Sequence, residues 1–380
     1  MAAQAASPSN NQTQDIDTFP LTFALTSSER MRAELERETI LADPGFGRHF
    51  TDHMVSIDWT LAAGWHDAQV IPYGPLMLDP AASVLHYAQE IFEGLKAYRH
   101  ANGSIWTFRP EANAARLQRS ARRLALPELS IADFVQSLRE LIAADGQWVP
   151  TGGETSLYIR PFMIANESFL GVRAAQKVGY YVIASPAGAY FTGGVAPVSI
   201  WLSTDFARAG RGGTGAAKTG GNYASSLLPQ AEAYEKGCAQ VLFLDSAEGK
   251  YVEELGGMNV FLVYKDGTLV TPDSSSILSG VTRDSIIQLA KDRGHRVEHR
   301  QVSIDEWREG VAIGDIVEMF ACGTAAVVTP IARLLAPDFE IGSADAPAGE
   351  FTMSIRQELT DIQYGRIEDR HGWLTRLDAE

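Results

Sequence analysis

Lys218 lies in the run Gly212-Gly213-Thr214-Gly215-Ala216-Ala217-Lys218-Thr219-Gly220-Gly221-Asn222-Tyr223, an amine set among glycines and small residues. A solvated lysine needs no such clearing, whereas one bonded to a bulky planar group does, at a cost in backbone entropy. Tyr223 could return a phenol toward the same ligand. A flexible Gly-rich linker with an incidental lysine accounts for the composition equally well, so the run alone leaves both readings open. A phosphate-cradling P-loop does not fit. It needs glycine immediately before the lysine, where this chain has Ala217, and Gly220-Gly221 should spoil the helix that follows.

Four other stretches could carry chemistry. In Tyr251-Val252-Glu253-Glu254-Leu255-Gly256-Gly257-Met258-Asn259, strand alternation sends the two glutamates to opposite faces. An inward carboxylate must be paired; the plainer reading is two solvated strand-end acids. Ser279-Gly280-Val281-Thr282 opens a helix whose free N–H groups and dipole suit an anion, or simply a helix capped by Ser279. Met319 to Ala326 reads as a strand entering a tight small-residue turn, able to offer N–H groups and the Thr324 hydroxyl, or as close packing. Along Phe108-Arg109-Pro110 and the helix after it stand Arg116, Arg119, Arg122 and Arg123. Most should be solvated, and one could supply a fixed cation for a phosphate.

The elements that must position these groups are legible from period and punctuation. Glu111 to Leu126 reads as an amphipathic helix between Pro110 and Pro127, and Ser130 opens another that ends near Gly146. Leu157–Ile164, Val178–Ala184, Val198–Leu202 and Gln240–Leu244 read as strands. Asn259–Tyr264 and Thr268–Thr271 flank Lys265-Asp266-Gly267 as a hairpin, with helices at Ser225–Lys236 and Val281–Arg293. Ser185-Pro186-Ala187-Gly188 and Gly193-Gly194 break the pattern and mark a domain junction. Ordered structure is expected from Phe46.

A chain of 380 residues suffices for two domain cores. The formal net charge of −15 argues against a nucleic-acid or anionic-membrane surface, and no apolar run approaches membrane-spanning length. Cys238 and Cys322 are the only cysteines, which gives neither a disulfide framework nor zinc spacing, and no metal site is expected. The cysteine usage fits a reducing cytoplasm. The first twenty residues read as a disordered tail, not a targeting peptide.

Taken together, these stretches resemble the branched-chain amino acid aminotransferases, pyridoxal-phosphate enzymes of fold type IV. The match is carried by His86-Tyr87, Glu90-Ile91-Phe92-Glu93-Gly94-Leu95-Lys96-Ala97-Tyr98, Phe108-Arg109-Pro110, Leu157-Tyr158-Ile159-Arg160-Pro161, Lys218 to Tyr223, Glu254 to Asn259, and Gly323-Thr324-Ala325. These blocks recur in the family's order. The resemblance implies a two-domain α+β and α/β fold with the cofactor at the interface. It divides into a tail and lead-in over 1–45, a smaller N-terminal α/β domain over 46–186, an interdomain loop over 187–198, and a larger mixed α/β, barrel-like domain over 199–380.

The resemblance also implies roles. Lys218 matches the lysine that holds pyridoxal 5'-phosphate as a Schiff base and shuttles the proton. Glu254 matches the partner of the pyridine nitrogen, leaving Glu253 as its plain neighbour, and Tyr223 matches the phenol near the ring oxygen. Arg116, Val281, Thr282 and Thr324 match the phosphate site. Phe46, Tyr87, Phe92, Tyr158 and Arg160 match the substrate pocket, and the Gly257 and Ala325 turns match those whose N–H groups hold the substrate carboxylate. Leu170-Gly171-Val172 matches a loop that completes the partner subunit's pocket, implying a homodimer. The expected reaction is ping-pong transfer between L-leucine, L-isoleucine or L-valine and 2-oxoglutarate.

Two departures limit the match. Ala326 and Thr329 stand where mammalian members carry a Cys-x-x-Cys pair, and Gly257 stands where they have threonine. A D-amino acid aminotransferase or aminodeoxychorismate lyase of the same fold type would share the lysine and the glutamate. A non-enzymatic scaffold would bind no cofactor.

Overall fold

The computed structural model describes residues 20–189 and 194–379. Among these, two nine-stranded sheets organise the chain. The first contains β1 (Ala24–Leu25), β2 (His53–Thr60), β3 (Gly64–Pro72), β4 (Glu90–Phe92), β5 (Leu95–Arg99), β6 (Ile105–Phe108), β7 (Ser156–Ile164) and β8 (Lys177–Ala187). It also takes in the last strand of the chain, Leu374–Arg376, which pairs with β6. With them come α1 (Glu34–Ala42), α2 (Ser83–Tyr87), α3 (Pro110–Arg123) and α4 (Ile131–Asp145).

Ser130 caps α4 by accepting the Asp133 N–H at 2.9 Å, as its residue type and position predict. Phe134, Leu138, Leu141 and Ile142 turn inward at helical spacing. Beneath them, period two governs the sheet: Leu157, Ile159 and Met163 of β7, with Leu95 and Ala97 of β5, fill this core. Tyr158, Arg160, Lys96 and Tyr98 therefore leave by the opposite face, and Tyr98 packs into a core of the second sheet. That opposite face carries the chemistry.

The second sheet contains β9 (Val198–Ser203), β10 (Gln240–Leu244), β11 (Val252–Leu255), β12 (Asn259–Tyr264), β13 (Leu269–Pro272), β14 (Val297–Arg300), β15 (Ile316–Gly323), β16 (Val327–Leu335) and β17 (Glu340–Gly342). Its order is β11-β10-β9-β16-β15-β12-β13-β14, with β17 beside β16. Parallel pairs at β9–β10, β9–β16 and β13–β14 sit among antiparallel ones. Edge strand β11 passes into β12 through a tight turn in which Leu255 N–H meets Met258 O at 2.9 Å, so the sheet curls back on itself. Around it stand α5 (Gly220–Ala224), α6 (Leu227–Glu235), α7 (Val281–Asp292), α8 (Ile304–Ala312) and α9 (Glu350–Gln363).

Several expectations change. Residues 1–19 of the expected tail lie outside the described residues, but order begins well before Phe46, since β1 pairs with β3 and α1 precedes residue 46. Ser185-Pro186 does not end the preceding strand, because β8 continues to Ala187; within the expected 187–198 loop, residues 190–193 lie outside the described residues. The closing strand Leu374–Arg376 belongs to the first sheet by pairing, although it follows the second in sequence. Gly220-Gly221 does not spoil the helix after Lys218. The one-turn α5 starts there because the Glu90 carboxylate, far away in sequence, takes the Gly220 N–H and the Thr219 hydroxyl.

Candidate active site

Lys218 sits between the sheets, tied down through its backbone. Its N–H donates to Ser120 Oγ of α3 at 2.9 Å, and its carbonyl accepts the Phe92 N–H of β4 at 3.0 Å. Its Nζ meets the Tyr223 hydroxyl at 2.7 Å, 4.8 Å from the centre of the Phe92 ring and 5.1 Å from that of Tyr223. The short helix α5 brings that phenol back. An amine facing a phenol and two ring faces is placed for covalent or proton chemistry rather than for a salt bridge.

The substrate-side residues gather on the same face. Arg160 donates to Tyr158 Oη at 3.1 Å and lies 4.7 Å from the centre of the Phe92 ring, and Phe46 packs edge-on to Tyr158 at 5.0 Å. Gly94 makes room for Tyr158, because a Cβ there would run into its hydroxyl. We expect Gly94→Ala to displace Tyr158 and lower kcat/KM roughly ten- to a hundredfold, with stability reduced by about 1–3 kcal/mol. Steady-state kinetics and thermal unfolding on one preparation check both effects.

Gly257 lies against Tyr223, and Gly323 lies against Gly257 O and Met258, so the first candidate carboxylate turn borders the Lys218 cluster and the second packs on the first. The second turn, Thr324 to Ala326, joins β15 to β16 and is closed by Val327 in a left-handed conformation, φ 63°. Tyr87, Leu170 and Val172 form a separate, exposed group, in which the Tyr87 hydroxyl donates to Leu170 O.

Glu254 is 3 % exposed and fully engaged. Oε1 pairs with Arg208 at 2.6 Å and accepts the Leu278 N–H at 2.9 Å, while Oε2 accepts from Asn259 Nδ2 at 3.1 Å. Burial pushes its carboxyl up, and the Arg208 guanidinium pulls it back toward ionisation. Glu253 is not the solvated neighbour that alternation suggested. Both faces of β11 are covered, so Glu253 is also buried, accepting from Ser274 Oγ at 2.9 Å with burial again raising its carboxyl.

Of the α3 arginines, Arg122 is exposed on Glu128 and Arg116 is buried. Arg116 grips Glu93 in a fork, with Nε and Nη2 each 2.8 Å from a carboxylate oxygen, and Nη1 reaches Ser279 O at 3.1 Å. Burial resists the charge on Glu93, but the Arg116 guanidinium more than offsets it and holds the carboxyl below the usual range. This fixes a cation beside the start of α7, where Gly280 provides no side-chain cap for the first N–H groups. Val281 and Thr282 head that helix.

Sequence reasoning missed Arg208, Glu93 as the brace of Arg116, and Glu90 at α5. Each is a long-range charge partner, and no local period announces one. Among the described residues no cluster suited to a metal ion occurs, and no helix is long and apolar enough to cross a membrane.

The donor set fits a phosphorylated pyridine aldehyde: an amine paired with a phenol, a buried carboxylate braced by arginine, and a helix start beside a fixed guanidinium. Comparison with known proteins agrees. A family model described as amino-transferase class IV matches residues 90–334. A branched-chain-amino-acid aminotransferase of Mycolicibacterium smegmatis is 59 % identical over 96 % of this chain and 100 % of its own length. One from Mycobacterium tuberculosis is 58 % identical over 94 % of this chain and 98 % of its own. The crystal structure of the branched-chain amino acid aminotransferase from Thermobaculum terrenum, in its PLP-bound holo form, superposes with a TM-score of 0.68 at 28 % identity, covering 84 % of this chain and 98 % of that one. With this mixed α/β, fold type IV architecture, the chain belongs to the class IV aminotransferases, pyridoxal-phosphate enzymes, and within them to the branched-chain aminotransferases.

Proposed function

We propose that this protein transfers the amino group of L-leucine, L-isoleucine or L-valine to 2-oxoglutarate, reversibly and in two half-reactions, with Lys218 as covalent anchor and proton carrier. The observation that carries this reading is the Lys218 Nζ–Tyr223 pair at 2.7 Å, near enough to the buried, arginine-braced Glu254 for the Lys218 charge to act on its carboxyl. When bound, pyridoxal phosphate supplies an electrophilic carbon and a ring that takes up electron density as the substrate Cα–H bond breaks.

The protein's own groups do the rest. Lys218 Nζ would anchor the cofactor and, when free, would take the proton from the substrate Cα and hold it for return. Tyr223 holds that nitrogen in place by its hydroxyl. Glu254, whose carboxyl burial raises and Arg208 draws back toward ionisation, would partner the ring nitrogen and favour its protonated form. Arg116, the N–H groups of Val281 and Thr282, and the Thr324 hydroxyl would hold the phosphate. Turn N–H groups at Gly257 and Ala325 take the substrate carboxylate.

Phe46, Phe92, Tyr158 and Arg160 wall the side-chain space. Each aliphatic methylene buried there contributes about 0.8 kcal/mol, so neighbouring chain lengths differ only modestly and several related substrates are accepted. The exposed Tyr87, Leu170 and Val172 are read as the part of each chain that completes the pocket of a second copy in a cytoplasmic homodimer.

An amino-donor panel with 2-oxoglutarate, read by glutamate formation, tests the assignment. L-leucine, L-isoleucine and L-valine should react within about one to two orders of magnitude of one another. Turnover of D-alanine without L-leucine would overturn it in favour of a D-amino acid enzyme.

A further inference from the structure

Phe108-Arg109-Pro110 is a block that the chemistry described so far leaves unused. A residue before proline ordinarily takes an extended backbone. Arg109 is instead left-handed, φ 52°, where β6 turns abruptly into α3. A non-glycine residue keeps such a conformation only where its surroundings dictate it. Here its N–H donates to Trp373 O at 2.7 Å, its guanidinium lies 5.2 Å from the centre of the Trp373 ring, and His371 stacks on that ring at 4.3 Å. Held this way, the side chain crosses to α7. Nη2 meets the Asp284 carboxylate at 2.6 Å, and Nη1 donates to Ser285 Oγ at 2.8 Å. The Ser285 hydroxyl in turn donates to Val281 O at 2.9 Å, in the first turn of that helix.

Arg116 joins the same two helices through Ser279 O at 3.1 Å, just before α7 begins. Arg109 and Arg116 stand seven residues, or two helical turns, apart, and their contacts bracket Val281 and Thr282. We propose that Arg109 is a positioning residue for the cofactor phosphate: it locks α7 to α3 one turn past Val281 and Thr282, so that the N–H groups heading α7 keep their place beside the Arg116 guanidinium. This rests on the reading that those groups take the phosphate. A single bridge at Ser279 would let α7 pivot about it, and a second bridge one turn further on removes that freedom. Asp284 is largely exposed, so its ion pair alone contributes little. The bond to the fully buried Ser285 and the stack on Trp373 fix the guanidinium.

The test follows the phosphorus-31 resonance of pyridoxal phosphate bound to holoenzyme, together with the cofactor retained on serial dilution. Arg109→Met should move that resonance away from its wild-type position and weaken cofactor retention by about tenfold. Arg109→Lys keeps the charge but not the fork, so it should recover only part of the wild-type behaviour. If Arg109→Met fails to fold, Ser285→Ala reads the same two quantities and should shift them in the same direction. A folded Arg109→Met protein, or failing that Ser285→Ala, that keeps the wild-type resonance and retention overturns the proposal, whether or not its unfolding temperature falls. A wild-type resonance that matches the free cofactor overturns the phosphate reading itself, which is a distinguishable failure.

Discussion

Lys218→Ala is expected to lose about a thousandfold or more of its transaminase turnover, together with the visible absorbance of lysine-linked cofactor, while keeping its fold. The loss should be that large because, on the proposed mechanism, one nitrogen would serve twice, as covalent anchor and as carrier of the Cα proton. Among the described residues no other amine shares its surroundings of a phenol hydroxyl at 2.7 Å and the Phe92 ring face. The fold should survive, since what ties this position down is backbone: its N–H on Ser120 and its carbonyl on Phe92. Circular dichroism, absorbance and single-turnover kinetics on the same sample separate loss of chemistry from loss of structure. A variant that kept both absorbance and turnover would refute the role.

Glu254→Gln carries the next largest expected effect, a fall in kcat of roughly a hundred- to a thousandfold with a smaller change in KM. Glutamine keeps the shape and its oxygen can still accept the Leu278 N–H, but it removes the negative charge. On the proposed role, the ring nitrogen would then lose its carboxylate partner, and the cost would fall on the step in which the ring accepts electrons. Arg208 would also lose its counter-ion in a buried site, and an unpaired buried charge costs about 3–5 kcal/mol before relaxation. The unfolding temperature should therefore drop alongside kcat. Unchanged kcat with lowered stability would mean that the Glu254–Arg208 pair is purely structural.

What could be read from the sequence follows a physical divide. Helix α4 was legible because its cap and apolar face are local: Ser130, Phe134, Leu138 and Leu141 stand at helical spacing. The β12–β13 hairpin was legible from Lys265-Asp266-Gly267. Glu253 was misjudged because alternation assigns faces but cannot say whether the far face is covered, and here it is. Helix α5 was missed because its partner, Glu90, lies on another strand. The same limit hid Glu93 behind Arg116 and Arg208 behind Glu254, since such pairs are set by tertiary contact. The Lys218 loop gained its meaning in the same way, from Tyr223, Phe92 and Ser120 rather than from its own glycines.

The most direct test of the central claim is borohydride reduction of the holoenzyme, followed by digestion and mass spectrometry of the peptides. The account predicts a phosphopyridoxyl mass on the peptide containing Lys218 and on no other lysine peptide. Label on Lys96, on another lysine, or on none would contradict it.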